Sequence, residues 1–181
     1  MALENDLDVQ EDWDITGDNS LNFESEIRAV VLNCENDAVV TVGKQYAGGI
    51  VGLQSLGLVK NSRNFGKLDA SNADYVGGIS GSSLGFIRSS HANGEVSGSE
   101  YVGGIAGSSE TYIVDSFSRA ILAGNQYVGG VAGYGTEVVA CYAVTDIAAA
   151  TKFAGGILGY TDPLPDEEAG LIQGNRYYRS E

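Results

Sequence analysis

Tyr101-Val-Gly-Gly-Ile-Ala-Gly107 recurs along this chain as Tyr46-Ala-Gly-Gly-Ile-Val-Gly52, Tyr75-Val-Gly-Gly-Ile-Ser-Gly81, Tyr127-Val-Gly-Gly-Val-Ala-Gly133 and Phe153-Ala-Gly-Gly-Ile-Leu-Gly159. The leading aromatics are 29, 26, 26 and 26 residues apart. A fixed period of this size marks a repeat architecture, in which one unit cannot bury its apolar face alone. Aligning the copies on the aromatic exposes further columns. A β-branched residue recurs at Val31, Val59, Ile87, Ile113, Val138 and Ile172, and three positions later a mostly small one at Cys34, Ser62, Ser90, Ser116, Cys141 and Asn175. Another aliphatic column reads Val40, Leu68, Val96, Leu122 and Ile147.

Short runs of Val, Ile and Tyr bounded by Gly, Asn, Asp and Ser are strand patterns. A helical repeat would need sustained 3.6-residue periodicity, which a Gly-Gly in every unit denies. Units of about 26 residues bury a core only by stacking, each strand pairing in parallel with its equivalent one coil away at ~4.8 Å. The predicted fold is all-β, a parallel β-solenoid (β-helix) of about six coils with end caps. Its coil is expected to be right-handed, as parallel crossovers nearly always are. Equivalent residues then touch one another, so Tyr46, Tyr75, Tyr101, Tyr127 and Phe153 form an aromatic ladder. Ile50, Ile79, Ile105, Val131 and Ile157 form an inward aliphatic ladder. Val102 and Ile105 are three positions apart, so both face inward only if the chain bends at Gly103-Gly104. Glycine there serves either that bend or close packing between coils.

The expected organisation is an acidic N-terminal cap or linker over residues 1–26, solenoid repeats over 27–178 with copies starting near 46, 75, 101, 127 and 153, and a tail at 179–181. The segment from Asp162 to Ala169, with Pro163, Pro165 and an Asp-Glu-Glu run, is read as a second cap, since charge and proline block an open sheet edge.

Tyr-Val-Gly-Gly-Ile-Ala-Gly, with a preceding segment such as Ala140-Cys141-Tyr142-Ala143, resembles the GLUG repeat of bacterial cell-surface proteins over roughly residues 27–178. Serine stands where that repeat has cysteine in three copies, and isoleucine stands where leucine is usual after Gly-Gly. Members of the family lie in adhesin-like chains and in non-catalytic regions of IgA-cleaving metallopeptidases. The resemblance implies an extracellular or cell-surface module of a larger chain, acting in adhesion or as a rigid spacer. Its implied partner is a host or bacterial surface glycan or protein. No binding residues carry over.

Composition restricts the partners. The 181 residues carry 24 acidic and 10 basic side chains, a formal charge of −14, with no basic cluster for nucleic acid or an anionic membrane surface. The longest uncharged run, residues 120–136, is rich in glycine and is no membrane-spanning segment. Met-Ala-Leu-Glu-Asn-Asp is no secretion leader, so signal and anchor are not expected within this chain.

Catalytic chemistry is sparse. His91 is the one histidine, and it shares a variable column with Glu35, Arg63, Phe117, Tyr142 and Arg176, which is expected to face solvent. A Ser-His-Asp set or a zinc helix has no support from it. Carbohydrate-active β-helix enzymes cluster carboxylates on one face, whereas Asp69, Asp74, Asp115 and Asp146 fall in different columns. No enzyme activity and no cofactor is expected; a lyase or hydrolase is the alternative, and an ice-binding solenoid a further one, disfavoured because the threonines do not recur in register. Asp12-x-Asp14-x-Thr16-Gly17 begins like an EF-hand calcium loop, but Phe23 stands where the bidentate acid belongs. Cys34 and Cys141 share a column four coils apart, ~19 Å at ~4.8 Å per coil, too far to pair; both are expected to be buried thiols. Tyr112, Tyr134, Tyr142, Tyr160, Tyr177 and Tyr178 are expected at the surface, where they could stack on sugars. Asn93 is expected at an exposed turn.

Overall fold

The computed structural model describes residues 29–149, 152–162 and 171–179. Every element among them is a β-strand, every pairing between strands is parallel, and the strands form three sheets of nine, eight and five. One central coil shows the path. Strand Tyr101–Gly103 belongs to the third sheet; the chain bends at Gly104 and Ile105 into the first sheet at Ala106–Val114. It turns a corner at Asp115 and Ser116 and runs through the second sheet as Phe117–Ala123 before returning to the third at Gln126–Gly129.

This is a parallel β-solenoid of about five turns. The first and second sheets carry six rungs of the repeat and the third carries five. Of the six coils expected from the columns, the first and last are present only in part among the described residues. The register is the one the columns predict: Val31, Val59, Ile87, Ile113, Val138 and Ile172 pair rung to rung, and so do Val40, Leu68, Val96, Leu122 and Ile147.

The interior holds two apolar columns of clusters. One gathers Val59, Ile79, Ile87, Ile105, Ile113, Val131 and Val138 beneath the first sheet. The other gathers Leu68, Val76, Val96, Val102, Leu122 and Val128 between the second and third sheets. Ile79, Ile105 and Val131 are completely buried, while Ile50 and Ile157 at the ends of that ladder are partly so. Each complete burial of such a side chain is worth roughly 1.5–3 kcal/mol.

Val102 and Ile105 are both completely buried, so the chain does bend between them. Neither Gly103 nor Gly104 has a left-handed φ, so glycine's backbone freedom is not what the bend uses. Space is. A Cβ on Gly103 would fall on the Ala106 carbonyl oxygen, and one on Gly104 would fall between Ser118 Oγ and the Gly130 carbonyl of the next coil. Gly78 faces Ala92 in the same way, and Gly130 faces Ala143. Both roles considered for these glycines are filled, the bend by Gly103, whose Cβ would strike the carbonyl across it, and close packing between coils by Gly104.

The corner between the first and second sheets has a feature absent from the column reading. Asn33, Asn61, Ser89, Asp115, Ala140 and Gly174, all equivalent, have φ of 56°, 52°, 48°, 49°, 52° and 67°. One left-handed residue thus turns every coil, and Asn, Asp and Gly tolerate that conformation best. The next residue is the small column, which ties coils together. The backbone N–H of Cys34 donates to Ser62 Oγ (3.3 Å), Ser62 N–H to Ser90 Oγ (3.3 Å) and Ser90 N–H to Ser116 Oγ (3.2 Å). Each hydroxyl in turn donates to the carbonyl two residues back, Ser90 Oγ to Arg88 at 2.9 Å and Ser116 Oγ to Val114 at 2.9 Å. The column therefore demands a small side chain that both accepts and donates. Asn93 lies on strand His91–Ser97 opposite Arg119, exposed but not at a turn.

The acidic segment 1–26 and all but Asp162 of the insertion Asp162–Ala169, both read as caps, lie outside the described residues, as does the calcium-like sequence at Asp12 and Asp14.

Candidate functional site

Two outward columns flank the Gly-Gly bend and face each other across it. On the third sheet stand Tyr46, Tyr75, Tyr101, Tyr127 and Phe153, with successive ring centroids 5.3, 4.9, 4.7 and 5.0 Å apart. All but the first pair are nearly parallel, so ring faces are covered by neighbours and ring edges look outward. On the first sheet the facing column reads Leu53, Ser82, Ser108, Tyr134 and Tyr160, paired rung to rung. Where this column holds Tyr160, its ring closes on the ladder, 5.4 Å from Tyr127 and 6.3 Å from Phe153. Where it holds Ser82 and Ser108, room is left.

That room is a groove of about 340 Å³, floored by the two serines and bordered by the edges of Tyr46, Tyr75 and Tyr101. Tyr134 and Tyr160 wall one end, and Glu110 and Asp162 supply carboxylates. Asp162 orients both wall rings. It accepts a hydrogen bond from the Tyr160 hydroxyl at 2.7 Å and from the Tyr134 hydroxyl at 3.2 Å. The bond to Asp162 is the main cause that raises the Tyr160 hydroxyl pKa above the ordinary phenol value. Burial first, then the Asp162 charge, raises that of Tyr134, and burial is the leading cause for Tyr75 and Tyr101. These four hydroxyls are thus protonated donors at neutral pH. With aromatic surface, hydroxyls and two carboxylates but no lysine, arginine or histidine among its lining residues, the groove is equipped to recognise.

The other candidates disperse. His91 packs edge-on against Phe117, with centroids 4.9 Å apart, and burial, then the Arg63 charge, lowers its pKa. Asp115 stands 3.8 Å from Arg88 in the corner, Asp69 pairs in register with Ser97, and Asp146 pairs with Ile121. Among the described residues no three His, Cys, Asp or Glu side chains converge as a metal site. Of the six tyrosines expected at the surface, only Tyr134 and Tyr160 reach the groove. Tyr112 is half-buried and stacks on Phe86 at 5.9 Å, and Tyr142, Tyr177 and Tyr178 are exposed on the second sheet.

Both cysteines are free, but only Cys141 is buried. The expectation of two buried thiols fails at Cys34, which is exposed on the first described rung and whose one stacked column partner among the described residues is Ser62. Burial pushes the Cys141 thiol up to about 12.

Column reading missed Ser82, Ser108, Glu110 and Asp162. The signal for the serines was present: Leu53, Ser82, Ser108, Tyr134 and Tyr160 each lie seven residues after a ladder aromatic. Comparison with family models, with curated proteins and with solved structures finds no match.

Proposed function

We propose that this chain is a non-enzymatic β-solenoid module of a bacterial cell-surface or secreted protein, that its coil is right-handed, and that it serves adhesion. The groove carries the reading. A pure spacer needs only the inward columns and the coil-to-coil hydrogen bonds, whereas the switch from Ser82 and Ser108 to Tyr134 and Tyr160 shapes an outward surface that the core does not use. The resemblance of Tyr101-Val-Gly-Gly-Ile-Ala-Gly107 and its copies to the GLUG repeat supports a surface location. The scatter of Asp69, Asp74, Asp115 and Asp146, and the packing of His91 against Phe117, favour binding over turnover.

The test is adherence and turnover measured side by side. Protein immobilised on beads should retain bacterial or epithelial cells, and should release no fragments from pectin or immunoglobulin A. Failure to retain any cell surface contradicts adhesion and leaves the spacer. Cleavage that disappears in Asp115→Asn, Asp146→Asn or His91→Ala overturns the non-enzymatic reading.

A further inference from the structure

We infer that the groove between the tyrosine ladder and the Ser82–Ser108 column binds an oligosaccharide of neutral or amino sugars lying along the solenoid axis; this rests on the adhesion role proposed above. The wall rings of Tyr134 and Tyr160 are held by Asp162, so they are ordered before any ligand arrives. Such preorganised aromatic surface suits the C–H faces of a pyranose, and little ordering cost remains at binding. Along the border the hydroxyls of successive tyrosines repeat once per coil, ~4.8 Å, close to the length of one extended pyranose unit. Glu110 and Asp162 accept hydrogen bonds from sugar hydroxyls or pair with a sugar ammonium.

The charge of the site decides the class of sugar. Two carboxylates and no cation line it, on a chain of net charge −14. A uronate, sialylated or phosphorylated polymer would have to desolvate its anions against those carboxylates with nothing to pair them. The column itself shows that the groove is not a packing necessity. Tyr134 and Tyr160 occupy the same outward position as Ser82 and Ser108, so the coil accommodates a tyrosine there.

That equivalence supplies the experiment. The 181-residue chain and the variants Ser82→Tyr, which fills the groove with a side chain the fold already hosts, and Tyr142→Ala, on the second sheet, are titrated calorimetrically. The probes are chitohexaose, its de-N-acetylated hexamer and hexagalacturonate. The inference expects binding of the neutral or the amino hexamer and none of hexagalacturonate. It also expects a loss of about tenfold or more in affinity, ~1.4 kcal/mol, for Ser82→Tyr at an unchanged melting temperature, and unaltered binding by Tyr142→Ala. It is overturned if Ser82→Tyr binds as the parent does, if hexagalacturonate binds as tightly as the better bound of the other two hexamers, or if none of the three binds. Retention of cells by both the parent and Ser82→Tyr would remove the groove but leave the adhesion role, whereas no retention by either removes the role itself.

Discussion

Cys141 shows how a column turns into a chemical environment. Its backbone N–H donates to Asn175 Oδ1 at 2.8 Å, and its thiol, completely buried, reaches the carbonyls of Val139 and Ile113 at 3.3 and 3.4 Å. Desolvation penalises the thiolate and lifts the pKa from 9.0 to about 12. A folded-state pKa above the unfolded value stabilises fully below the unfolded pKa. That contribution drains away as pH rises from about 9 toward about 12, where the unfolded chain sheds a proton that the folded chain retains. Cys141→Ser should fold well, since Ser62, Ser90 and Ser116 fill the same column on other rungs, and should lose less stability than the parent on going from neutral to alkaline pH. The raised tyrosines act in the same direction in both proteins and cancel in the difference. An equal loss of stability in the two proteins between neutral and alkaline pH, read from the urea midpoints, would contradict the buried thiol. Thiol counting gives a second check: native protein should react rapidly with one equivalent of reagent, through exposed Cys34, and denatured, unreduced protein with two. Two rapid equivalents in the native state would contradict it.

At the scale of the element, the corner is the unit that sequence reading passed over. The columns before and after it were legible because their members share one property, β-branched at Val31 and its equivalents, small at Cys34 and its equivalents. Asn33, Asn61, Ser89, Asp115, Ala140 and Gly174 share no polarity or size, only tolerance of a left-handed backbone, which becomes visible once the coil is known to turn there. The same cause hid the groove. Leu53, Ser82, Ser108, Tyr134 and Tyr160 vary because they face outward, and variation in an outward column reads as absence of constraint until the facing ladder is placed across from it. The inward columns, where each residue must match its own copy above and below, were readable throughout. Ala140 is the corner residue that pays most for its φ of 52°, having a Cβ and no polar side chain to compensate. A left-handed L-residue costs roughly 1–2 kcal/mol, against roughly 0.5–1 kcal/mol of extra chain entropy for glycine. Ala140→Gly should therefore raise stability by roughly 0.5–1 kcal/mol, opposite in sign to the usual effect of glycine in a β-structure. A lowered urea midpoint would show that the corner is not strained.

For the whole molecule, stability is the sum of coil terms and of interfaces between neighbouring coils. Among the described residues the inward ladders carry no charged side chain, and Arg88, 3.8 Å from Asp115, is the largely buried member of its pair. Lys67 and Glu95 meet at 2.6 Å with about half of each side chain exposed, and such a contact contributes little. What holds the coils is the aliphatic ladder and the parallel hydrogen bonds beside it. Ile79 N–H donates to Ile105 O at 2.8 Å, Ile105 N–H to Val131 O at 2.8 Å, and Val131 N–H to Ile157 O at 2.8 Å.

The direct test of that account is Ile105→Asp compared with Asn93→Asp, by urea denaturation with hydrogen exchange. Ile105 is completely buried between Ile79 and Val131, so a carboxylate there is desolvated without a cation to meet it, and the loss should be several kcal/mol. Asn93 is exposed on the second sheet, and its replacement should change stability by less than ~0.5 kcal/mol. Exchange should quicken in the coils on both sides of Ile105 and not in its own alone. Equal stability of the two variants, or quickened exchange confined to the mutated coil, would contradict a core built by stacking equivalent residues coil upon coil.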